Sequence, residues 1–250
     1  MKIDILITLA EKDFSKLPFV VESIQQNIDG VRDIYCISDI TVPQPLSGVL
    51  YFLEKDVLNF DFNLFEGKVK ARKGWYIQQY LKLFQEITPD DYLVVDSDIY
   101  FNRKINIIEN GKPSFLFGTN YTHPPYFKFM WDIFKLKKEY HYSFINEVMY
   151  FKREYLQHLL KSRRLTKDQF FRISVKVLNT LNAISGFSEY ELYGNYVTKY
   201  FPQSYNYTYV KTVSKAKPGS WSVKELRNYI NLYKGQDVDI LKMHSWTFGS

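Results

Sequence analysis

Asp96 and Asp98, separated only by Ser97, follow directly on the apolar run Tyr92-Leu93-Val94-Val95. Carboxylates at the carboxyl end of a buried strand lie where α/β sheets place their ligands. Hard oxygen donors of this kind hold Mg²⁺ or Mn²⁺, which can bridge a diphosphate. Turns also favour Asp and Ser, so the triplet alone is equally compatible with a strand-ending turn. Upstream, in Arg72–Leu83, Trp75, Gln78 and Lys82 fall at i, i+3 and i+7, on a different face from Ile77, Tyr80, Leu81 and Phe84. The spacing predicts a helix with one polar face, and Arg72 and Lys73 at its start would add their charge to the free N–H groups there, a place suited to phosphate. The alternative is a solvated helix face with a half-buried tryptophan. Downstream, Ser188-Glu189-Tyr190-Glu191 sets two carboxylates at a helix start. Ser188 and Glu191 have the spacing of a capping box, which leaves Glu189 as the freer acid. Near the end of the chain, His244 follows the apolar stretch Val238–Leu241 and offers an imidazole.

Asp96-Ser97-Asp98 after its Val-Val strand resembles the Asp-x-Asp motif of GT-A glycosyltransferases. Arg72-Lys73-Gly74-Trp75-Tyr76-Ile77-Gln78-Gln79-Tyr80-Leu81-Lys82-Leu83 resembles the helix preceding that motif in a group of bacterial and viral members, and Phe187–Tyr196 resembles a later segment of the same group. The matches come in family order over residues 70 to 196, and with the opening strand and His244 the resemblance covers most of the chain. It implies an α/β GT-A fold, Rossmann-like, with a mostly parallel central sheet flanked by helices. It further implies transfer of a sugar from a nucleotide diphosphate sugar, a UDP- or GDP-sugar, to a glycan or glycolipid hydroxyl. By the same resemblance Asp98, Asp96 and His244 would hold Mn²⁺ or Mg²⁺, a carboxylate–imidazole set that suits Mn²⁺. Thr8, Ala10, Asp39, Arg72, Gln78, Lys82, Asp96 and Ser97 would meet the nucleotide sugar, and Glu189 or Glu191 would take the acceptor proton. Two departures stand out. The Glu189/Glu191 segment lacks the Glu-Asp pair of many inverting members, which leaves the stereochemical outcome open with inversion favoured. Asn146-Glu147 lacks the Gly that many members carry after the Asn.

The elements that must carry these residues alternate in type. Ile3–Leu9, Asp33–Ile37, Val49–Leu53, Asp91–Val95, Ser114–Phe117 and Asn146–Phe151 read as strands. Leu17–Ile28, the segment through Phe84, Glu154–Lys161, Lys167–Leu181, a stretch from Ser188 and Val223–Tyr233 read as helices. Lys215–Ser220 reads as a loop. A chain of 250 residues without an evident linker or repeat fits one domain, with a nucleotide-sugar half over 1–118 and an acceptor half over 119–250. Aromatics reach 18%, with 21 Tyr and 20 Phe, which suits either a sugar-lined cleft or an aromatic core. The net charge of +6 favours anionic ligands, but it is scattered without a basic tail, which argues against a nucleic-acid binder. Cys36 is the one cysteine, excludes an internal disulfide, and sits inside an apolar strand. Asp4 interrupts the short opening run and no apolar stretch nears the length of a spanning helix, so the expectation is a cytoplasmic protein. Lys135–Lys138, flanked by Phe134 and Tyr140, has the composition to rest on anionic lipid at the inner face of a membrane, the alternative being a solvated helix. A nucleotidyltransferase is a competing reading, disfavoured because Thr8–Leu17 carries no Gly-rich phosphate loop. A Ca²⁺-dependent carbohydrate-binding module is another, disfavoured by the strand–helix alternation.

Overall fold

In the computed structural model, residues 2–118 and 120–246 are described. β1 (Ile3–Leu9) is buried along its whole length, as a strand covered on both faces must be. α1 (Leu17–Asn27) turns Leu17, Val20, Val21 and Ile24 inward at helical spacing. β2 (Val31–Ser38) and β3 (Val49–Leu53) extend the sheet in parallel. The short helices α2 (Glu54–Val57) and α3 (Gly67–Ala71) lead to α4 (Lys73–Phe84) and to β4 (Tyr92–Val95), which lies parallel to β1 on its other side. Beyond the small strands β5 (Ile99–Phe101), β6 (Ile108–Glu109) and β7 (Lys112–Phe117) and the helix α5 (Pro124–Phe134), β8 (Val148–Phe151) returns antiparallel to β4. The central sheet therefore has the order β3-β2-β1-β4-β8, mostly parallel and flanked by helices.

α6 (Arg153–Ser162), α7 (Lys167–Leu181) and α8 (Glu189–Tyr200) follow, with α8 packing on α4, α5 and α6. β9 (Asn206–Tyr209) joins β6 and β7 in a second small sheet. β10 (Thr212–Pro218) and β11 (Ile240–Trp246), linked through α9 (Val223–Tyr233), form a third with β5. The expected division near residue 118 marks no boundary in the sheet, because β8 completes it from the second half. One continuous apolar core takes side chains from both halves. Among the described residues no helix is long and apolar enough to cross a membrane.

Several local expectations are corrected. Lys215–Ser220 is not a loop as a whole, since Lys215–Pro218 belongs to β10. Among the described residues β10 pairs only with β11, and an edge strand tolerates exposed lysines and a terminal proline because one of its sides makes no ladder there. Lys135–Lys138 is not helical: Lys135 caps α5 in the left-handed region at φ 55° and the chain runs on irregularly. In α4 the inward face is Tyr76, Gln79, Tyr80, Leu83 and Phe84, with Leu81 and Lys82 also buried, while Ile77 turns toward a cleft.

The aromatic excess is spent mainly on the core. Phe60 stacks on Phe171 with centroids 4.6 Å apart, and Tyr80, Phe84, Phe170 and Phe187 close the same cluster. Gly194 lets α8 approach Phe144, where an added Cβ would meet the ring Cγ at 2.2 Å. Gly194→Ala is therefore expected to destabilise the protein by about 1–3 kcal/mol through overpacking. Urea unfolding measures this, and an unchanged midpoint would show that the helix and ring separate freely.

Candidate functional site

All four parallel strands end at the same edge of the sheet, and each delivers a polar residue there. Thr8 and Ala10 close β1, Asp39 follows β2, Glu54 follows β3, and Asp96 follows β4; all line one cleft of about 630 Å³. The reason is directional: parallel strands share their carboxyl ends, so the connections after them converge. β8 runs the other way, so the residue before it, Glu147, reaches the same edge. The register is fixed there by the Asp96 N–H donating to the Glu147 carbonyl at 3.0 Å. Glu147 holds φ 63°, the left-handed region that glycine adopts freely and other residues only at a cost.

His244 arrives on β11. The Met243 N–H donates to the Asp98 carbonyl at 2.8 Å, which sets the imidazole beside the Asp98 side chain. His244 Nδ1 lies 3.0 Å from Asp98 Oδ2, and its Nε2 lies 3.8 Å from Glu147 Oε1. Asp98, Glu147 and His244 can each present one ligand atom, all within 4.8 Å of one another. Glu147 Oε2 is buried without a hydrogen-bond partner, although Lys242 Nζ stands 3.4 Å away. Burial and then the Asp98 charge push the Glu147 carboxyl above its ordinary range. Burial also works against ionised Asp98, but the His244 hydrogen bond and charge outweigh it and hold that carboxyl low. Burial opposes the charged form of His244 as well, and Asp98 and Glu147 override it, raising the imidazole. Two oxygen donors, one nitrogen donor and an unsatisfied buried carboxylate oxygen fit a divalent cation such as Mn²⁺ or Mg²⁺.

Asp96 is outside this cluster, contrary to the expected set of Asp98, Asp96 and His244. Its Oδ1 accepts from Tyr190 Oη at 2.7 Å and pairs with Lys82 Nζ at 2.6 Å. Lys82 also donates to Glu189 Oε1 at 2.8 Å and sits 4.7 Å from the Tyr190 ring centroid. Lys82 and Glu189, expected at the donor and the acceptor, thus lie behind the cleft wall as a buried ion pair supporting Asp96. Burial pushes the Glu189 carboxyl up, and Lys82 only partly opposes this. The same two carboxylates override the burial penalty on Lys82 and hold its ammonium charged. Glu191 also lies outside the cleft. Ser188 accepts from the Glu191 N–H, but the Glu191 carboxylate does not close a capping box. It accepts instead from Ser143 Oγ at 2.6 Å, the Phe144 N–H at 3.2 Å and Asn195 Nδ2 at 2.9 Å, bonds that hold it away from the cleft lining.

The start of α4 also lines the cleft. Arg72 precedes the helix, and no side chain caps its first turn. Arg72, Lys73, Gly74, Trp75, Ile77 and Gln78 line the cleft there. Arg72 donates through Nη1 to Ser185 Oγ at 2.5 Å and lies over Trp75 at 4.3 Å, which fixes its fork at the rim. Trp75 is the aromatic ring that this lining holds, besides the His244 imidazole, so the tyrosines and phenylalanines do not build the cleft among the described residues. Ser97 Oγ, also in the lining, donates to Asp13 Oδ2 at 3.3 Å. Asp13 in turn accepts from the fully buried Lys16 at 2.5 Å. Asp13, Glu54 and Lys242 were not anticipated from sequence. The acids just after β1 and β3 were signalled by the same strand–carboxylate pattern as Asp96, whereas Lys242 sits in an apolar stretch that gives no sign of its partner. His123 Nε2 lies 2.7 Å from the Ser185 carbonyl, close to the Arg72 rim.

Residues 25–237 match a family described as a family of unknown function (DUF6492). No curated protein matches the chain.

Replacing Lys82 by Met leaves Asp96 and Glu189 uncompensated, and should cost about 3–5 kcal/mol. Adding Glu189→Gln should restore part of that loss. A double-mutant cycle by urea unfolding tests the coupling, and strict additivity would refute the shared buried pair. Glu54 titrates near neutrality: burial and then Asp39 push its carboxyl from 4.5 to about 7. The folded state then holds the extra proton between those values, so ionising Glu54 makes stability fall as pH rises from about 4.5 to about 7. Glu54→Gln should flatten that decline relative to the parent, and parallel stability–pH curves for the two would remove Glu54 as its source.

Proposed function

We propose that this protein, which belongs to that family of unknown function, is a metal-dependent glycosyltransferase of the GT-A type that moves a sugar from a nucleoside diphosphate to a glycan or glycolipid hydroxyl. The observation that carries the reading is the placement of Asp98, Glu147 and His244 in one cleft with the uncapped start of α4, with Arg72 and Lys73 beside it. Cation-binding and anion-binding groups in one cleft are the complementarity a metal–diphosphate requires. The resemblance of Arg72–Leu83, Asp96–Asp98 and Phe187–Tyr196 to GT-A members supports the same conclusion.

In this reading Asp98, Glu147 and His244 hold Mn²⁺ or Mg²⁺, which supplies neutralisation of the charge growing on the leaving diphosphate. Arg72, held by Ser185, offers its planar fork to phosphate oxygens. The first N–H groups of α4 aim their dipole at the same oxygens. Thr8, Ala10, Asp39 and Glu54, also in the lining, would meet the nucleoside, and Gln78 and Trp75 would border the donor on the α4 side. Asp96, fixed by Tyr190 and Lys82, presents an oriented carboxylate in the same lining. Glu189 then acts by keeping Lys82 and Asp96 in place rather than by taking the acceptor proton itself.

Thermal melting with UDP, GDP, CMP and TDP, each with and without Mn²⁺, tests the reading. A nucleoside diphosphate should raise the melting temperature only when Mn²⁺ is present, by about 2.7 kcal/mol of stabilisation at a hundredfold excess over its Kd. Asp98→Ala and His244→Ala should each abolish that response. Ca²⁺-dependent sugar binding with no nucleotide effect would sink the transferase.

A further inference from the structure

We propose that the outer face of α5 and the chain just after it form a docking surface for an anionic phospholipid bilayer. α5 buries Tyr126, Phe129, Met130, Ile133 and Phe134 against the core. Its opposite face carries Phe127, Lys128 and Trp131, and Trp131 is 44% exposed. The left-handed cap at Lys135 turns the following lysines back along this face. Lys135 Nζ and Lys137 Nζ come to 5.4 and 5.7 Å from the Trp131 ring centroid, and Lys138 Nζ to 5.5 Å from that of Phe127. The nearby carboxylates are already engaged: Asp132 pairs with Lys128 at 2.8 Å, and Glu139 pairs with Lys199 at 3.4 Å. Among the described residues Lys135, Lys137 and Lys138 have no carboxylate at ion-pair distance.

An exposed tryptophan ringed by lysines matches the two layers of a bilayer surface. The indole suits the headgroup level, while the lysine stems lie along apolar surface and raise their ammonium groups to lipid phosphates. The same composition would suit single-stranded nucleic acid only if the ring faces were open for base stacking. Here ammonium groups stand over the Trp131 and Phe127 rings instead, which favours lipid. The surface also has a defined relation to the cleft. His123, which precedes α5, contacts the Ser185 carbonyl, and Ser185 Oγ accepts from Arg72 at the cleft rim. α5 is thus joined at its start to the segment that holds Arg72 at the cleft rim.

The test needs no nucleotide and so is independent of the glycosyltransferase reading. The full chain is sedimented with vesicles of phosphatidylcholine alone and of phosphatidylcholine mixed with phosphatidylglycerol. Binding is expected to the mixed vesicles, weakening as salt rises. Each lysine near an anionic surface changes partitioning about fivefold, so replacing Lys135, Lys137 and Lys138 together by Ala should lower it on the order of a hundredfold. Trp131→Ala should also weaken binding and should remove a blue shift of tryptophan fluorescence that the parent shows on the mixed vesicles. Both variants change side chains outside the core, and an unaltered melting temperature confirms that they fold. Undiminished vesicle binding by the variants, equal binding to both vesicle types, or displacement from the mixed vesicles by a single-stranded oligonucleotide would overturn the proposal.

Discussion

Carboxylates from the ends of several strands meet at one edge of the central sheet, and like charges gathered in a partly buried space need compensation. The compensating groups come from separate parts of the chain, and they hold that chain together around the cleft. Lys82 ties α4 to both β4 and α8 through Asp96 and Glu189. Lys16 holds Asp13 in the turn after β1, and Asp13 accepts from Ser97 between the two motif aspartates. Lys242 and His244, two residues apart on β11, serve Glu147 and Asp98. Asp98 has only an imidazole as its cationic side-chain neighbour within ion-pair distance among the described residues, and Glu147 keeps an unsatisfied oxygen. The compensation is thus fuller around Asp96 than around Asp98 and Glu147, which separates a supported carboxylate from a pair that could take a cation.

The antiparallel return of β8 is what makes the second case. A parallel strand at that edge would present its last residue to the cleft, whereas β8 presents the residue before its first. That residue, Glu147, occupies a backbone region costly for a side chain and is held there by its carbonyl bond to Asp96. Strain of this kind persists only where the surroundings impose it, and here the register of β4 against β8 does so. The third sheet adds the remaining donor, since β11 is placed by its ladder with β5, which begins directly after Asp98.

Much of this was legible along the chain. Strand ends followed by acids marked Asp39 and Asp96, and the polar face of Arg72–Lys82 marked residues that line the same cleft as Asp98, Glu147 and His244. The motif resemblance also led to Asp98 and His244. What was misjudged were partnerships. Glu191 has capping-box spacing, yet its carboxylate is taken by Ser143 and Phe144 of another segment and by Asn195 one turn along its own helix. Lys82 shares a helical face with Gln78, yet a further turn along α4 carries it past the cleft and under Asp96. The lysines of β10 read as a loop because an edge strand with one paired side needs little apolar patterning.

The sequence by itself determined the alternation of strands and helices, the convergence of acids on a sheet edge and the cationic start of α4. These follow from periodicity and from residue order, which are local properties. Only the tertiary structure decided that Glu147 replaces Asp96 beside Asp98 and His244, that Glu189 is a buried counter-ion, and that lysines crown Trp131. Those outcomes depend on strand direction, on register and on which distant charge neutralises which, and burial makes each such pairing matter because water no longer screens it.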